Sequence, residues 1–336
     1  MARLRLKVVA ETLPLAAPFR ISGYVFDSAD VVIVTLDDGD QRGRGEASGV
    51  YYLGDDVAHM MTALDAVRGE IEAGPSREEL RAILPPGGAR NAVDCALWEL
   101  ESQQAGRPVW ALAGLAEPRP LLTTFTLGAD DPATMAEGAR GFSHARSIKV
   151  KLTGELDLDI ARVKAIRTAR PDVWLGVDGN QGFAIGDLDA LVGAMRDADV
   201  SLIEQPLARG READLQDYRS PIPIAADESA LSLDDVAGLV ERFDVFNIKL
   251  DKCGGLTEGL MIAAEARAAG LGVMVGNMVG TSLAMAPAFV LGQHCDLVDL
   301  DGPIFLKQDR VPGLEYQDGM VQCGEAVWGA GAAVAA

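Results

Sequence analysis

Histidine is nearly missing from this 336-residue sequence: the three present, His59, His144 and His294, do not stand at ligand spacing. A metal centre built on imidazole is therefore not expected. Any metal would have to be held by Asp and Glu, which favours a hard ion such as magnesium. The four cysteines (Cys95, Cys253, Cys295, Cys323) contain no CxxC pair, so neither a zinc site nor a disulfide framework is expected. Basic residues are few: 30 Lys and Arg against 50 Asp and Glu leave a formal charge of −20. That balance argues against nucleic acid or an anionic membrane as partner. No apolar run reaches the roughly 18 residues needed to cross a bilayer. At the N-terminus, Lys7, Glu11 and Pro14 break "MARLRLKVVAETLPLAAPF" before it could form a signal-peptide core. The expectation is a cytoplasmic protein with no membrane or nucleic-acid partner. A homo-oligomer is left open.

What is present is an ordinary globular balance, 49% apolar and 24% charged. Residues 1 to about 50 are extended in character, with "RLRLKVVAE" and "DVVIVTLDDGD" followed by "GRGEAS". Residues 55 to 105 turn helical. "SREELRAIL" places Ser76 and Glu79 in capping-box positions, and "ARNAVDCALWELESQQAG" is amphipathic. From about residue 120, short apolar runs alternate with helical stretches: "LLTTFTLG", "SIKVKL", "VWLGVD", "SLIEQP", "IPIAADES", "VFNIKL", "LGVMVG" and "DLVDLDGP". Eight such runs predict a parallel (β/α) barrel, and no glycine fingerprint after the first run supports a doubly wound sheet instead. The division expected is an α+β unit over 1–118, a barrel over 119–309, and an irregular tail over 310–336 returning to the first unit. "GAGAAVAA" at its end is expected to be disordered.

In a barrel the site lies at the C-terminal ends of the strands. There the runs place Lys149 and Lys151, then Asp178, Glu204, Asp227 (with Glu228 after it), Lys249, and finally Asp299 and Asp301. Each has a plain structural explanation alone. Asp178 in "DGNQG" could make a turn, Asp227 could cap a helix, and a strand-end lysine usually snorkels into water. Together they are harder to dismiss. Carboxylates ending three consecutive strands would crowd one arc and repel unless a divalent cation joined them. Lysines end the strands on either side.

A metal between two amines suits removal of a proton α to a carboxylate, because the cation offsets the charge of the resulting enediolate. Lys149 and Lys151 share a face at the period of two, so the ammonium of one favours the neutral, basic form of the other. Asp299 and Asp301 share a face in the same way, which suits a cationic group of the substrate.

These residues closely resemble the enolase superfamily in its muconate-lactonizing subgroup, over nearly the whole chain. "GRGEAS" and "ARNAVDCALWEL" are similar to stretches of its α+β capping domain, and the later residues to its (β/α)7β barrel. The resemblance implies one magnesium ion per subunit held by Asp178, Glu204 and Asp227. It makes Lys151 an acid/base with Lys149 its helper, and Lys249, the first lysine of "NIKLDKCGG", the opposing acid/base. Lys252 is then structural. "NIKLDKCGGLTEGL" with "DLDGP" is most similar to the dipeptide epimerases, L-Ala-D/L-Glu epimerases among them. There the substrate ammonium would meet Asp299 and Asp301, and Thr126, Asn277 and Val279 would line the pocket. A loop arginine should meet a glutamate side chain. In "FRISGYVFDSAD", Arg20 comes several residues early and Gly23 or Tyr24 stands in its place, which opens the way to an apolar second residue. Rival readings are an N-acylamino-acid racemase, cycloisomerase or dehydratase of the same superfamily, a Schiff-base aldolase using Lys151 or Lys249, and a silent scaffold barrel. The aldolase leaves the three carboxylates without work, and the scaffold predicts a broken constellation.

Overall fold

The computed structural model describes residues 3–21 and 23–332. The extended N-terminal stretches form an antiparallel sheet of β1 (Arg5–Ile21), β2 (Tyr24–Asp37) and β3 (Arg42–Ala47). The β1–β2 register runs from Arg5↔Asp37 to Pro14↔Ser28, slips, and resumes at Phe19↔Phe26. Pro14 and Pro18 have no N–H to give, so the ladder fails between them. Across the slip Leu15 bridges Leu306, and Lys307 N donates to Pro14 O at 2.9 Å. The hairpin thus leans on the later part of the chain.

The base of β2 buries Val32, Val34 and Leu36 at alternate positions, and these share a core with Ala92, Val93 and Ala96 of the helix Gly88–Ala105. A shorter helix, Arg77–Ile83, starts on the expected capping box, with Glu79 N donating to Ser76 Oγ and Ser76 N to Glu79 Oε2.

The eight apolar runs make the barrel. The run "LLTTFTLG" splits into β4 (Leu121–Leu122) and β5 (Phe125–Leu127). There follow β6 (Ser147–Lys151), β7 (Trp174–Asp178), β8 (Leu202–Glu204), β9 (Ile224–Ala226), β10 (Val245–Ile248), β11 (Gly272–Val275) and β12 (Leu297–Val298). Strands β5 to β12 pair in chain order, all parallel. Thr124 N donates to Val298 O at 3.0 Å, bringing the first and last strands together. Every residue of β6 is buried, as expected of a parallel strand covered on both faces. Among the described residues no helix is long and apolar enough to cross a membrane.

The tail is more ordered than its sequence suggests. A hairpin of β13 (Glu315–Gln317) and β14 (Met320–Gln322) pairs with β4. Beyond it, Trp328 is buried and donates to Arg44 O at 3.1 Å, while Gln103 donates to Gly329 O and Ala332 O. The rest of "GAGAAVAA", residues 333–336, lies outside the described residues.

"CGG" in the stretch after β10 marks where the N-terminal unit grips the barrel. Arg90 donates to Cys253 O (2.6 Å), Gly254 O (3.2 Å) and Glu258 Oε2 (2.6 Å), and Asp94 accepts from Thr257 N and Oγ1. Gly254 and Gly255 take φ of 79° and 117°. A Cβ there would stand 2.2 Å from Arg90 and 2.4 Å from Asp94. Only glycine allows both the turn and the approach.

Asp251, between the two lysines of the same stretch, accepts from Ser48 N (2.8 Å) and Gly49 N (3.0 Å) through Oδ1. Burial pushes its carboxyl up to about 7, against the pull of those two amides. The folded chain therefore keeps a proton that the unfolded chain releases near its ordinary 3.8. The resulting contribution is complete below that value and is lost as pH rises through 7. Asp251→Asn keeps the Oδ1 acceptor and cannot ionise. It is expected to stabilise the fold by on the order of 1–3 kcal/mol at pH 8, with the gain shrinking towards pH 4. Urea midpoints of both proteins across this range check it, and a pH-independent difference would contradict it.

Candidate active site

Five neighbouring strands, β6 to β10, deliver charged groups to the barrel mouth. Lys149 and Lys151 come from alternate positions of β6, Asp178 and Glu204 end β7 and β8, Asp227 follows β9, and Lys249 follows β10. All six side chains are buried. Oxygens of Asp178, Glu204 and Asp227 lie within 4.8 Å of one another. Burial and the neighbouring Asp178 push Glu204 up to about 7, against the pull of Lys149. Burial acts on Asp227 too, yet the ammonium groups of Lys249 and Lys252 hold it well below the usual carboxylate range.

The lysines meet the acids directly. Lys151 Nζ donates to Asp178 Oδ2 at 2.6 Å and Lys249 Nζ to Asp227 Oδ2 at 2.7 Å. Lys149 Nζ donates to Glu204 Oε2 at 3.3 Å and also contacts Asp299. Burial opposes its charge, but Asp299, Glu204 and Asp178 hold it well above the ordinary lysine value. Three crowded carboxylates, one of them drawn towards its neutral form, offer the oxygen-only donor set that a hard divalent cation takes. The residues fit such an ion.

Lys252, read from sequence as structural and beyond the strand, is wholly buried against the cluster. Its amine donates to Asp227 Oδ1 (2.6 Å), Asp227 O (2.6 Å) and Asn247 O (3.0 Å). Asn247 in turn donates to Glu204 Oε1 at 2.7 Å. Neither was singled out for the cluster in the sequence. The spacing of Lys252 from Lys249 was visible, but the turn Leu250–Cys253 that folds its amine back was not.

A cavity of about 420 Å³ opens over these groups. Lys151, Lys249, Asn277 and Val279 form its floor and one side, and Phe19, Phe26, Tyr51 and Tyr52 of the N-terminal unit face them. Thr126, Asp299 and Asp301 are close by but do not line it. Asp299 is engaged by Thr124 and Lys149. Asp301 accepts from Thr126 N at 2.7 Å through Oδ2, and Asn277 Nδ2 donates to Asp299 O at 2.5 Å. Asp301 makes no side-chain cap to the turn Gly302–Phe305, so the plain capping explanation does not hold for it. Arg20 stands outside, 3.8 Å from the exposed Asp130 carboxylate, and among the described residues no arginine lines the cavity.

Residues 3–114 match the family described as mandelate racemase / muconate lactonizing enzyme, N-terminal domain, and residues 133–334 match the enolase C-terminal domain-like family. The chain belongs to the mandelate racemase/muconate lactonizing family of the enolase superfamily. Within that superfamily, an L-Ala-D/L-Glu epimerase of Escherichia coli (strain K12) is 39% identical over 315 residues, 93% of this chain and 98% of that protein. An N-acetyl-D-glutamate racemase of Pseudoalteromonas sp is 41% identical over 252 residues, 75% of this chain and 79% of that protein. Among solved structures, a dipeptide epimerase from Methylococcus capsulatus, complexed with Mg and the dipeptide L-Arg-D-Lys, superposes with a TM-score of 0.90 at 30% identity. That match covers 96% of this chain and 98% of the other.

Proposed function

We propose that the protein is a magnesium-dependent dipeptide epimerase, an isomerase that inverts the α-carbon of a dipeptide's C-terminal residue. The observation that carries this reading is the pair of buried lysines, Lys151 and Lys249, entering one cavity from strands four apart in an eight-stranded barrel, with the three-carboxylate cluster between them. Asp178, Glu204 and Asp227 hold the ion, which when bound offsets the negative charge that develops on the substrate carboxylate as the α-proton leaves. Lys151 takes or returns the proton on one face and Lys249 on the other. Lys149, two residues before Lys151 on the same strand, serves as its helper. Lys252 and Asn247 keep Asp227 and Glu204 in place.

Asp301 receives the substrate's free ammonium, with Asp299 behind it. Burial beside Asp299 pushes its carboxyl up to about 7, against the pull of its hydrogen bonds from Thr126. A cation there would relieve that cost. Asn277 and Val279 wall the dipeptide, and Thr126 orients Asp301. With no described arginine lining the cavity, an apolar C-terminal side chain has Phe19 and Phe26 to meet, while a glutamate side chain would find charged donors only in Lys151 and Lys249, which are given to the reacting centre. The capping unit is taken as residues 1–118 and the barrel as 119–309, with 310–336 returning to the former. Four unpaired cysteines suit a reducing compartment, the cytoplasm.

One observation favours a second reading, an N-acylamino-acid racemase: both oxygens of Asp299 are already engaged, by Thr124 and Lys149. A panel of free dipeptides and their N-acetyl forms, incubated with magnesium in D2O and followed by mass spectrometry, separates the two. Free dipeptides, with apolar as well as glutamate C-termini, are expected to gain one deuterium. Acetylation is expected to cost roughly 2–5 kcal/mol in kcat/KM, as when a buried charge pair loses one partner. Faster exchange of the acetylated forms would move the assignment to the racemase.

A further inference from the structure

The N-terminal unit contributes more than a wall. After β3 the chain makes a tight turn, Tyr51–Leu53, closed by Val50 N donating to Asp55 O at 2.9 Å. The Tyr51 and Tyr52 rings meet edge to face with centroids 5.2 Å apart, and Tyr51 packs against Tyr24 and Phe26 in turn. This cluster fixes the Tyr52 ring over the barrel mouth. Its hydroxyl is buried, and no described residue accepts from it. A buried hydroxyl left in this state costs free energy unless something else satisfies it. The charges it feels are those of Asp227, Lys249 and Glu228, the reacting centre, and burial keeps its proton well above the ordinary tyrosine value. It is a donor waiting for an acceptor.

We infer that the Tyr52 hydroxyl donates a hydrogen bond to a carboxylate oxygen of the bound substrate, so that the N-terminal unit supplies a binding residue at the reacting end. This rests on the reading above that a carboxylate is seated beside Asp227 and Lys249. An anionic oxygen is the acceptor that best repays a lone buried O–H. Glu228 Oε2 and Asn180 Oδ1 are the other unpartnered buried side-chain atoms that line the cavity among the described residues.

Tyr52→Phe removes the hydroxyl and nothing that the fold uses. In the magnesium-loaded full chain, kcat/KM for deuterium exchange is expected to fall roughly 10- to 100-fold, the range for a hydrogen bond to a charged group. The thermal midpoint is expected to stay the same or rise, because the lost group has no partner in the folded chain. Malonate, a dicarboxylate that is not turned over, gives a second comparison: its affinity by calorimetry is expected to fall by a similar factor. Unchanged kcat/KM together with unchanged malonate affinity would overturn the inference, and so would a lowered midpoint that accounts for the loss. If wild type exchanges neither dipeptides nor N-acetylamino acids, the functional reading fails by itself, and the malonate comparison alone decides the role of Tyr52.

Discussion

Lys249→Ala is expected to abolish epimerisation yet leave α-proton exchange on one of the two isomers, and Lys151→Ala is expected to give the mirror pattern. The two amines come from β6 and from the end of β10, on opposite arcs of the barrel, and both open into the same cavity. A base on one face of the α-carbon can remove a proton only from the isomer that presents it there. Removing one amine therefore takes away deprotonation of one isomer and reprotonation to form it. General acid–base groups contribute about 10²–10⁴-fold, so epimerisation should drop by at least the lower figure in each variant. Lys249→Ala leaves Lys252 bonded to Asp227, which keeps that carboxylate from being stranded. The check is deuterium at the α-carbon, scored separately for each pure isomer. Equal exchange of both isomers in either single variant would contradict the arrangement.

Metal removal should have the largest effect of all. Dialysis against EDTA is expected to reduce turnover below detection, and added magnesium to restore it. Oxygens of Asp178, Glu204 and Asp227 lie within 4.8 Å of one another, so the cluster is built for a cation, and its removal takes away the charge that would offset the developing enediolate. Asp227→Asn should behave like metal loss even with magnesium present, because one of three anionic groups is gone. A loss of roughly 10³-fold or more corresponds to about 4 kcal/mol of transition-state stabilisation, within what a Lewis-acidic ion supplies. Full turnover in metal-free buffer would refute it.

The barrel was legible because its strands are short, apolar, evenly spaced and pair in chain order, so neighbours in sequence are neighbours in space. That is why the carboxylates after "VWLGV", "SLI" and "IPIAA" could be grouped with no structure in hand. Lys149 and Lys151 were legible through the period of two. The groups that sequence did not reveal depend on geometry without a period. Lys252 reaches Asp227 only because one helical turn reverses its direction. Tyr52 meets the site only because one unit docks over another. The run "LLTTFTLG" looks continuous, but its two halves pair with different partners, β4 with the tail strand β14 and the residues from Thr124 onward with the barrel. The tail hairpin escaped notice because "EYQDGMVQ" gives each strand only three residues.

The hairpin of β1 and β2 has a division of labour along its length. Its base, around Val32 and Leu36, is sealed into the N-terminal core, while Phe19 and Phe26, paired near its far end, line the cavity. The acids and amines to which metal binding and proton transfer are proposed all sit on the other unit. Part of what the protein accepts would therefore be written apart from how it reacts, in a stretch about eight codons long from Phe19 to Phe26, while Asn277, Val279 and Asp301 stay with the barrel. Randomising that stretch alone would sample new side-chain preferences on an untouched reaction centre, and natural drift in the same codons could retune diet without relearning chemistry.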